Sequence, residues 1–385
     1  MKTYVFTNRV YPPVGGATGE LLKDLAEGLV AQGSRVVVIT SRGPADLMLP
    51  KRQTSNGVEL IRVGTAPFTR VSHWRRALSY AALYPQFAWQ VWRQGKVDAV
   101  VSMTDPPLQV AAVTFGSSKA KRKIHWAQDV YPELAEELGV IPRGGLVACV
   151  LRALASWALR KQDEVVVLGR CMRQRLVGRG LDAGKIEVIP NWSPVAAPTA
   201  EEVGAMRKKL GWENKFVALY SGNLGLAHDF DTIISAAKEL AGCGVYIVFA
   251  GEGPRADALR RAAANLPHVD FLPSQPKSSL AAFLGAADVH LVSVGAGLEG
   301  LVVPSKAYGI LAAGRPLIYI GSHDSEIGAI LRESGAGAVV KNGDSAALAA
   351  ELKKMAADAP VSSSGLSKEF GLPRALESWK EILKS

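Results

Sequence analysis

Cysteine is scarce in this chain: three in 385 residues, Cys149, Cys171 and Cys243, widely separated. An odd, scattered set excludes a disulfide framework and a zinc knuckle and fits a reducing, cytoplasmic compartment. Long apolar runs are missing as well. No stretch of about 18 uncharged apolar residues occurs, so no spanning helix is expected. The strand-like "KTYVFTN" begins at residue 2, so no signal peptide is expected. The three-glycine dinucleotide fingerprint is absent, and no acid ends the second strand, where "VVVITSRG" runs on to Arg42; a nicotinamide enzyme is disfavoured. Acidic residues are depleted in one half only. Residues 1–199 hold 26 Lys and Arg against 15 Asp and Glu, whereas residues 200–385 hold 19 against 20. Such a first half reads either as a solvated basic surface or as one that faces something anionic. No helix-turn-helix, zinc-finger or RNA-binding signature accompanies the charge, so a membrane is preferred to nucleic acid as the partner.

What is present is alternation. Strand-like runs at "TYVFTN", "RVVVIT", "VDAVVS", "KRKIHW", "EVVVL" and "KIEVIP" are separated by helical segments. Continuous β-branched runs alternating with helices indicate a parallel sheet covered on both faces. The Pro-rich "PNWSPVAAPTAEEVG" (190–204) reads as a linker, after which the pattern restarts with "FVALYSG", "VYIVFAG", "VDFLP", "DVHLVS", "PLIYIG" and "GAVVK". The expected architecture is α/β: two doubly wound, Rossmann-like domains, residues 1–194 and 195–371, facing a central cleft. A terminal helix over 372–385 is expected to pack back on the first. At 385 residues and 48% hydrophobic composition, the chain can build two cores. Ligands should lie at the carboxyl ends of the strands.

Three glycine loops follow strands: Gly15–Gly16 in "RVYPPVGGATGE", Gly222 and Gly225 in "YSGNLGLAHDF", and Gly251 and Gly253 in "FAGEGP". Glycines there let backbone N–H groups approach a phosphate; singly, each reads equally as a turn. The stretch "GLEGLVVPSKAYGILAAGRP" (297–316) adds a lone acid, Glu299, and a lone base, Lys306, at the start of an apolar helix. A lysine at a helix N-terminus suggests a phosphate ligand, and a nearby carboxylate suggests hydroxyls to hold.

In this order, the Gly-Gly loop, "VIPNW", "YSGNLG", "FAGEGP" and "EGLVVPSKAYGILAAGRP" resemble the retaining GT-B glycosyltransferases of family 4, group 1. The likeness is strongest to members that build O-antigen and colanic-acid-type polysaccharides, several of which carry "QDVYPE"-like and "VPSK"-like segments. The resemblance covers almost the whole chain. It implies transfer, with retention, of a sugar from a nucleotide-diphosphate donor, UDP- or GDP-linked, to a glycan or lipid-linked acceptor at the inner face of the cell membrane. It implies no metal and no other cofactor; no acidic metal-binding doublet stands in the sequence. Backbone N–H groups, helix dipoles and basic side chains would neutralise the departing diphosphate. The catalytic candidates are Lys306 for diphosphate, Glu299 for sugar hydroxyls, and Asp129, in "WAQDVYPE", for the donor sugar. Donor-binding candidates are Gly15, Gly16, Gly222, Asn223, Glu252 and Gly253, with the segment Leu301, Val302, Val303 and Ser305, then Arg170 and Tyr308.

The sequence departs from the family pattern at three places. An arginine and a lysine usual in the first second-domain loop are replaced by Asn223 and His228. The second glutamate usual after Glu299 falls on Ala307 or, aligned on "AAGRP", on Gly309. Tyr308 or backbone would then serve the ribose. Asp129 also reads as a strand-end cap and Arg170 as a surface arginine; His125 and His290, within apolar strands, read as core. Residues 68–96 hold seven of the 27 aromatics interleaved with Arg70, Arg75, Arg76, Arg93 and Lys96. This suits an interfacial element on an anionic membrane, or a pair of helices covering the sheet, broken or kinked at Pro85. Other function classes with these features are a nucleotide-sugar 2-epimerase, a sucrose- or trehalose-type synthase, and a non-catalytic nucleotide-sugar-binding protein.

Overall fold

A computed structural model describes residues 1–13, 15–42, 48–65, 73–193, 197–358 and 369–384, with side chains described for these except residues 65 and 73–77. The chain divides into two compact units. The first comprises Met1–Pro190, Gly300–Val302 and Ala375–Ser385, the second Asn191–Glu299 and Val303–Arg374.

The first unit holds strands β1 (Thr3–Thr7), β2 (Arg35–Arg42), β3 (Arg52–Ser55), β4 (Val58–Thr65), β5 (Val97–Met103), β6 (Ala120–Ala127), β7 (Glu164–Val167) and β8 (Ile186–Val188). Its helices are α1 (Ala17–Ala31), α2 (His73–Arg93), α3 (Gln109–Gly116), α4 (Glu133–Glu137), α5 (Leu146–Arg160) and α6 (Arg170–Gly178). The sheet order is β3-β4-β2-β1-β5-β6-β7-β8. All neighbours are parallel except the β3–β4 hairpin, which turns on Asn56 and Gly57, both at positive φ (48° and 79°). An Asn-Gly pair suits that turn because both central residues need left-handed backbone. Val36 to Ile39 are fully buried, as a strand covered on both faces requires.

Helix α2 runs on through Pro85, so of the expected break or kink there is no break. Leu83, Phe87 and Val91, four residues apart, bury against Val5, Val37, Ile39 and Val100 on both sides of the proline, and Tyr84 Oη donates to the Pro107 carbonyl at 2.5 Å. Packing on either side outweighs one lost backbone hydrogen bond. The C-terminal helix α14 (Leu372–Lys384) places Trp379 in the core of the first unit, edge-on to Trp126 with centroids 4.8 Å apart. The Arg122 guanidinium donates to the Ile382 carbonyl. A Cβ at Gly28 of α1 would stand 2.6 Å from Leu376 Cδ2 of α14, so the two helices touch there.

The second unit opens with α7 (Ala200–Leu210), where the sequence read only a linker. Thr199 and Glu202 form a reciprocal capping box that starts the helix, and Gly211 ends it in left-handed conformation. Then β9 (Phe216–Ser221), α8 (Asp231–Glu239), β10 (Val245–Ala250), α9 (Ala256–Ala262), β11 (Val269–Leu272), α10 (Leu280–Ala286), β12 (Val289–Ser293), α11 (Lys306–Ala312), β13 (Leu317–Ile320), α12 (Glu326–Ser334), β14 (Gly337–Val340) and α13 (Ser345–Ala357) follow. The sheet is wholly parallel in the order β11-β10-β9-β12-β13-β14. The crossover from β9 outward to β11 and back to β12 puts the switch point between β9 and β12, where open α/β sheets take ligands at the carboxyl ends.

Candidate functional site

Two of the glycine loops end the neighbouring strands β9 and β10 and are pressed together. Gly222 N–H donates to the Ala250 carbonyl at 2.9 Å and Leu224 N–H to the Glu252 carbonyl at 2.8 Å. A Cβ on Gly251 would lie 2.1 Å from the Gly222 carbonyl oxygen, and one on Gly253 2.4 Å from that of Leu224, with φ at +141° and +157°. Only glycine fits at either place. The Asn223 side chain lies between the loops, within 2.9 Å of a Cβ placed on Gly225 and 2.7 Å of one on Gly253.

Lys306, the first residue of α11, reaches the same loops. Its Nζ stands 3.5 Å from the Cβ position of Gly222 and 3.6 Å from the centroid of the Tyr220 ring. The aromatic face attracts the ammonium. Although the residue is half-buried overall, Nζ itself is buried and has no hydrogen-bond acceptor. Burial drives its pKa well below the ordinary 10.5. A buried ammonium without an acceptor costs free energy, and a depressed lysine beside two glycine loops is a site where an anion would be stabilised.

His228, at the place of the family's lysine, brings no charge. Burial, then the positive charge of Lys306, lowers its pKa to about 4. Its Nδ1 donates to the Ser293 carbonyl at 2.7 Å, which leaves Nε2 as an acceptor. Asn223 is neutral too, so the positive charge at these loops comes from α11. The end of α11 contributes little of its own: Ala307 N–H is taken by the Pro304 carbonyl at 3.0 Å and Tyr308 N–H by that of Ser305 at 3.2 Å.

Glu299 is half-buried and lines an open pocket of ≈ 520 Å³ with Ser322, His323, Asp324, Lys341 and Asn342. Its loop is tied down from two directions. Gly295 N–H donates to the Ala227 carbonyl at 2.8 Å, and the Asn342 amide donates to the Val294 carbonyl and to Asp229, both at 2.9 Å. Tyr308 is fully buried with its ring 4.9 Å from Phe370, so it packs the core rather than facing a ribose. Glu252 is exposed, Val303 is buried, and Ser305 caps α11 without a side-chain bond. Ala307 and Gly309 leave no second acid on α11.

In the first unit the chain brings Leu301 and Val302 to Asp129. The Val130 N–H donates to the Leu301 carbonyl at 2.9 Å, and Val302 forms an antiparallel bridge with Asp129 at the end of β6. Burial, then the Asp105 carboxylate, raises the Asp129 pKa to about 7. Asp105 itself is held by Arg9 through two bonds of 2.6 and 2.8 Å. A cavity of ≈ 20 Å³ touches Thr104, His125 and Asp129, room for about one water. Gly15 and Gly16 stand exposed ahead of α1, and Arg170 is exposed at the first position of α6. His125 and His290 lie buried within β6 and β12, each with its pKa lowered to about 4 by burial. Among the described residues no group of three or more His, Cys, Asp or Glu could hold a metal, and no helix is long and apolar enough to cross a membrane.

Sequence reasoning missed Tyr220, the Arg9–Asp105 pair and the Asp229–Asn342 contact. Tyr220 carried a signal, since it stands two residues before the first glycine of its loop. The contact between positions 229 and 342 carried none.

Residues 16–192 match the glycosyl transferase 4-like domain family and residues 203–368 the glycosyl transferases group 1 family. The probable glycosyltransferase WbjE of Pseudomonas aeruginosa is 30% identical over 267 residues, which span 67% of this chain and 66% of that protein. The putative colanic acid biosynthesis glycosyl transferase WcaI of Escherichia coli is 27% identical over 355 residues, 85% of each. The crystal structure of Anabaena Alr3699/HepE in complex with UDP-glucose matches at a TM-score of 0.75 and 15% identity over 100% of both chains, a likeness of fold.

Proposed function

We propose that this chain, which belongs to the family 4, group 1 glycosyltransferases and has their GT-B fold, moves a sugar from a UDP- or GDP-linked donor to a glycan or lipid-linked acceptor in cell-surface polysaccharide synthesis, with retention at the anomeric carbon. The observation that carries the reading is the buried, unpartnered ammonium of Lys306 above the Gly222 and Gly253 loops. The donor diphosphate would lie along Gly222 to Leu224, with Lys306 as its counter-charge. As the glycosidic bond breaks, negative charge gathers on the leaving phosphate, and a pre-placed cation in a water-poor site stabilises that charge more than the ground state. Glu299 would hold hydroxyls of the donor sugar within its polar pocket. Asp129 would serve the reacting sugar; its bridge partner Val302 stands three residues after Glu299 in the chain.

The test is incubation with a panel of UDP- and GDP-sugars, reading released nucleoside diphosphate, beside thermal shifts with UDP and GDP. A ligand at about 100 times its Kd adds about 2.7 kcal/mol, so one nucleotide should raise the melting temperature clearly above the other. No shift with any diphosphate and no turnover would remove the reading.

Two further outcomes follow from the same chemistry. Excess EDTA should leave the initial rate unchanged, because side-chain and backbone charges take the role of a metal; loss of activity restored by magnesium or manganese would overturn this. Glu299→Gln keeps the shape and removes the charge. It should raise the donor KM on the order of tenfold, about 1.4 kcal/mol of sugar recognition, and leave the Kd for free nucleoside diphosphate unchanged. Weakened diphosphate binding would move Glu299 out of the sugar subsite.

A further inference from the structure

Helix α5 is amphipathic the wrong way round for a helix that only covers a sheet. Its buried side is mostly small, Ala148, Ala155, Ser156 and Ala158 with Leu159. Its larger apolar residues face solvent: Leu146 is 82% exposed, Val147 and Val150 58% each. Their spacing, with Leu154 one turn further, makes one continuous stripe. Single exposed apolar residues are ordinary; a stripe is not.

The stripe does not end with the helix. Trp157 of α5 meets Phe115 of α3, itself 68% exposed, with ring centroids 5.1 Å apart. Helix α3 in turn presses on α2 at Gly116, where a Cβ would stand 2.3 Å from the Ala88 carbonyl oxygen. On α2, Trp89 and Trp92 are stacked at 5.1 Å and exposed, and Lys119 Nζ lies 3.7 Å above the Trp92 ring. Exposed apolar and aromatic groups thus run across three adjoining helices of the first unit.

Charge singles out what covers them. The three helices lie in three stretches of sequence, 60–97, 106–128 and 138–162, that contain no Asp or Glu at all and carry 14 Lys and Arg. Lys119, Arg160 and Lys161 are exposed, while Arg143 and Arg152 pair with Glu137 and Glu136 of α4. An apolar stripe of leucine and valine has no use for a nucleic acid backbone, and a rim in which basic residues outnumber acids repels a second copy of itself. Tryptophans among lysines, beside aliphatic side chains, match the headgroup and upper acyl levels of an anionic bilayer.

We propose that the outer face of α2, α3 and α5 docks on an anionic membrane, with Leu146, Val147 and Val150 entering the interface and the lysines and arginines meeting lipid phosphates. The proposal stands apart from the transfer reaction. It is centred on α5 and residues 78–93 of α2; Arg70 lies outside the described residues, and so do the side chains of Arg75 and Arg76.

Flotation of the full chain with vesicles tests it. The protein should float with phosphatidylcholine–phosphatidylglycerol vesicles and stay down with phosphatidylcholine alone, and added salt should release it. Val147→Glu with Val150→Glu, at solvent-facing positions, should lower partitioning at least about tenfold. Arg160→Glu with Lys161→Glu should lower it in the anionic vesicles as well, and both pairs should keep the wild-type melting temperature. Flotation of the valine pair at the wild-type level would overturn the proposal. So would a wild-type protein that ignores anionic vesicles, or one that runs as a dimer which the valine pair dissociates.

Discussion

Replacing Lys306 by Met should slow turnover on the order of 100-fold and, in the same protein, raise the melting temperature of the unliganded form. The two effects have one cause. The ammonium is buried above Tyr220 with no acceptor, so in the empty protein it is a desolvated charge that Met removes while keeping much of the stem's volume. Leaving a buried polar group unpaired costs about 1–3 kcal/mol, which corresponds to a rise of a few degrees on removal. With donor bound, the same ammonium faces phosphate oxygens, and a charge-assisted contact of about 3 kcal/mol in the transition state corresponds to the 100-fold loss. Proton linkage gives a third readout. The native pKa of Lys306 lies well below 10.5 because of burial, so between that value and 10.5 the unfolded chain binds more protons than the folded one. Wild-type stability should therefore gain with rising pH across that window, and the Met variant should lose this slope. Steady-state kinetics, thermal melts over pH and diphosphate titration decide the matter. A solvated surface lysine predicts none of the three changes, and near-wild-type turnover would take Lys306 out of the site.

The parts of the fold that were legible in the sequence are those with one dominant cause. All six strands of the second unit were readable as apolar runs; the four inner ones, β9, β10, β12 and β13, are so because a parallel strand buried on both faces has no reason to be anything but apolar. The β3–β4 hairpin was not read, because Arg52–Ser55 is polar and exposed and only Asn56-Gly57 marks the turn. Helix α7 hid inside a Pro-rich stretch whose last residues are its capping box. At the loops of β9 and β10, glycine identity was informative because close backbone approach tolerates nothing else. What could not be read was direction: that Lys306 points at Gly222, that Tyr308 points at Phe370, that Asn342 meets Asp229. Those depend on how separate crossovers pack, which no local pattern encodes.

The second large effect concerns the first unit. Asp129→Asn should lower turnover on the order of 100-fold and remove an inflection near pH 7 from the rate profile. Burial and the neighbouring Asp105 carboxylate hold the Asp129 pKa at about 7 against an ordinary 3.8, so near neutral pH the group is part carboxylic acid and part carboxylate. Positive charge grows at the anomeric carbon as the leaving diphosphate departs, and a carboxylate stabilises it where an acid does not. Wild-type kcat/KM should therefore rise with pH through about 7, and the Asn variant should be flat and slow throughout. Stability must move the other way. A carboxyl whose native pKa is raised binds more protons folded than unfolded between about 4 and 7, so its contribution is complete below pH 4 and lost as pH climbs through 7. The lost part is a few kcal/mol at most, because three units at about 1.4 kcal/mol each bound it and the residue is only half-buried. The Asn variant should thus match the wild type in urea melts at pH 4 and exceed it at pH 8. A rate inflection that survives the substitution belongs to another group, and wild-type turnover in the Asn variant would leave Asp129 as no more than the bridge partner of Val302.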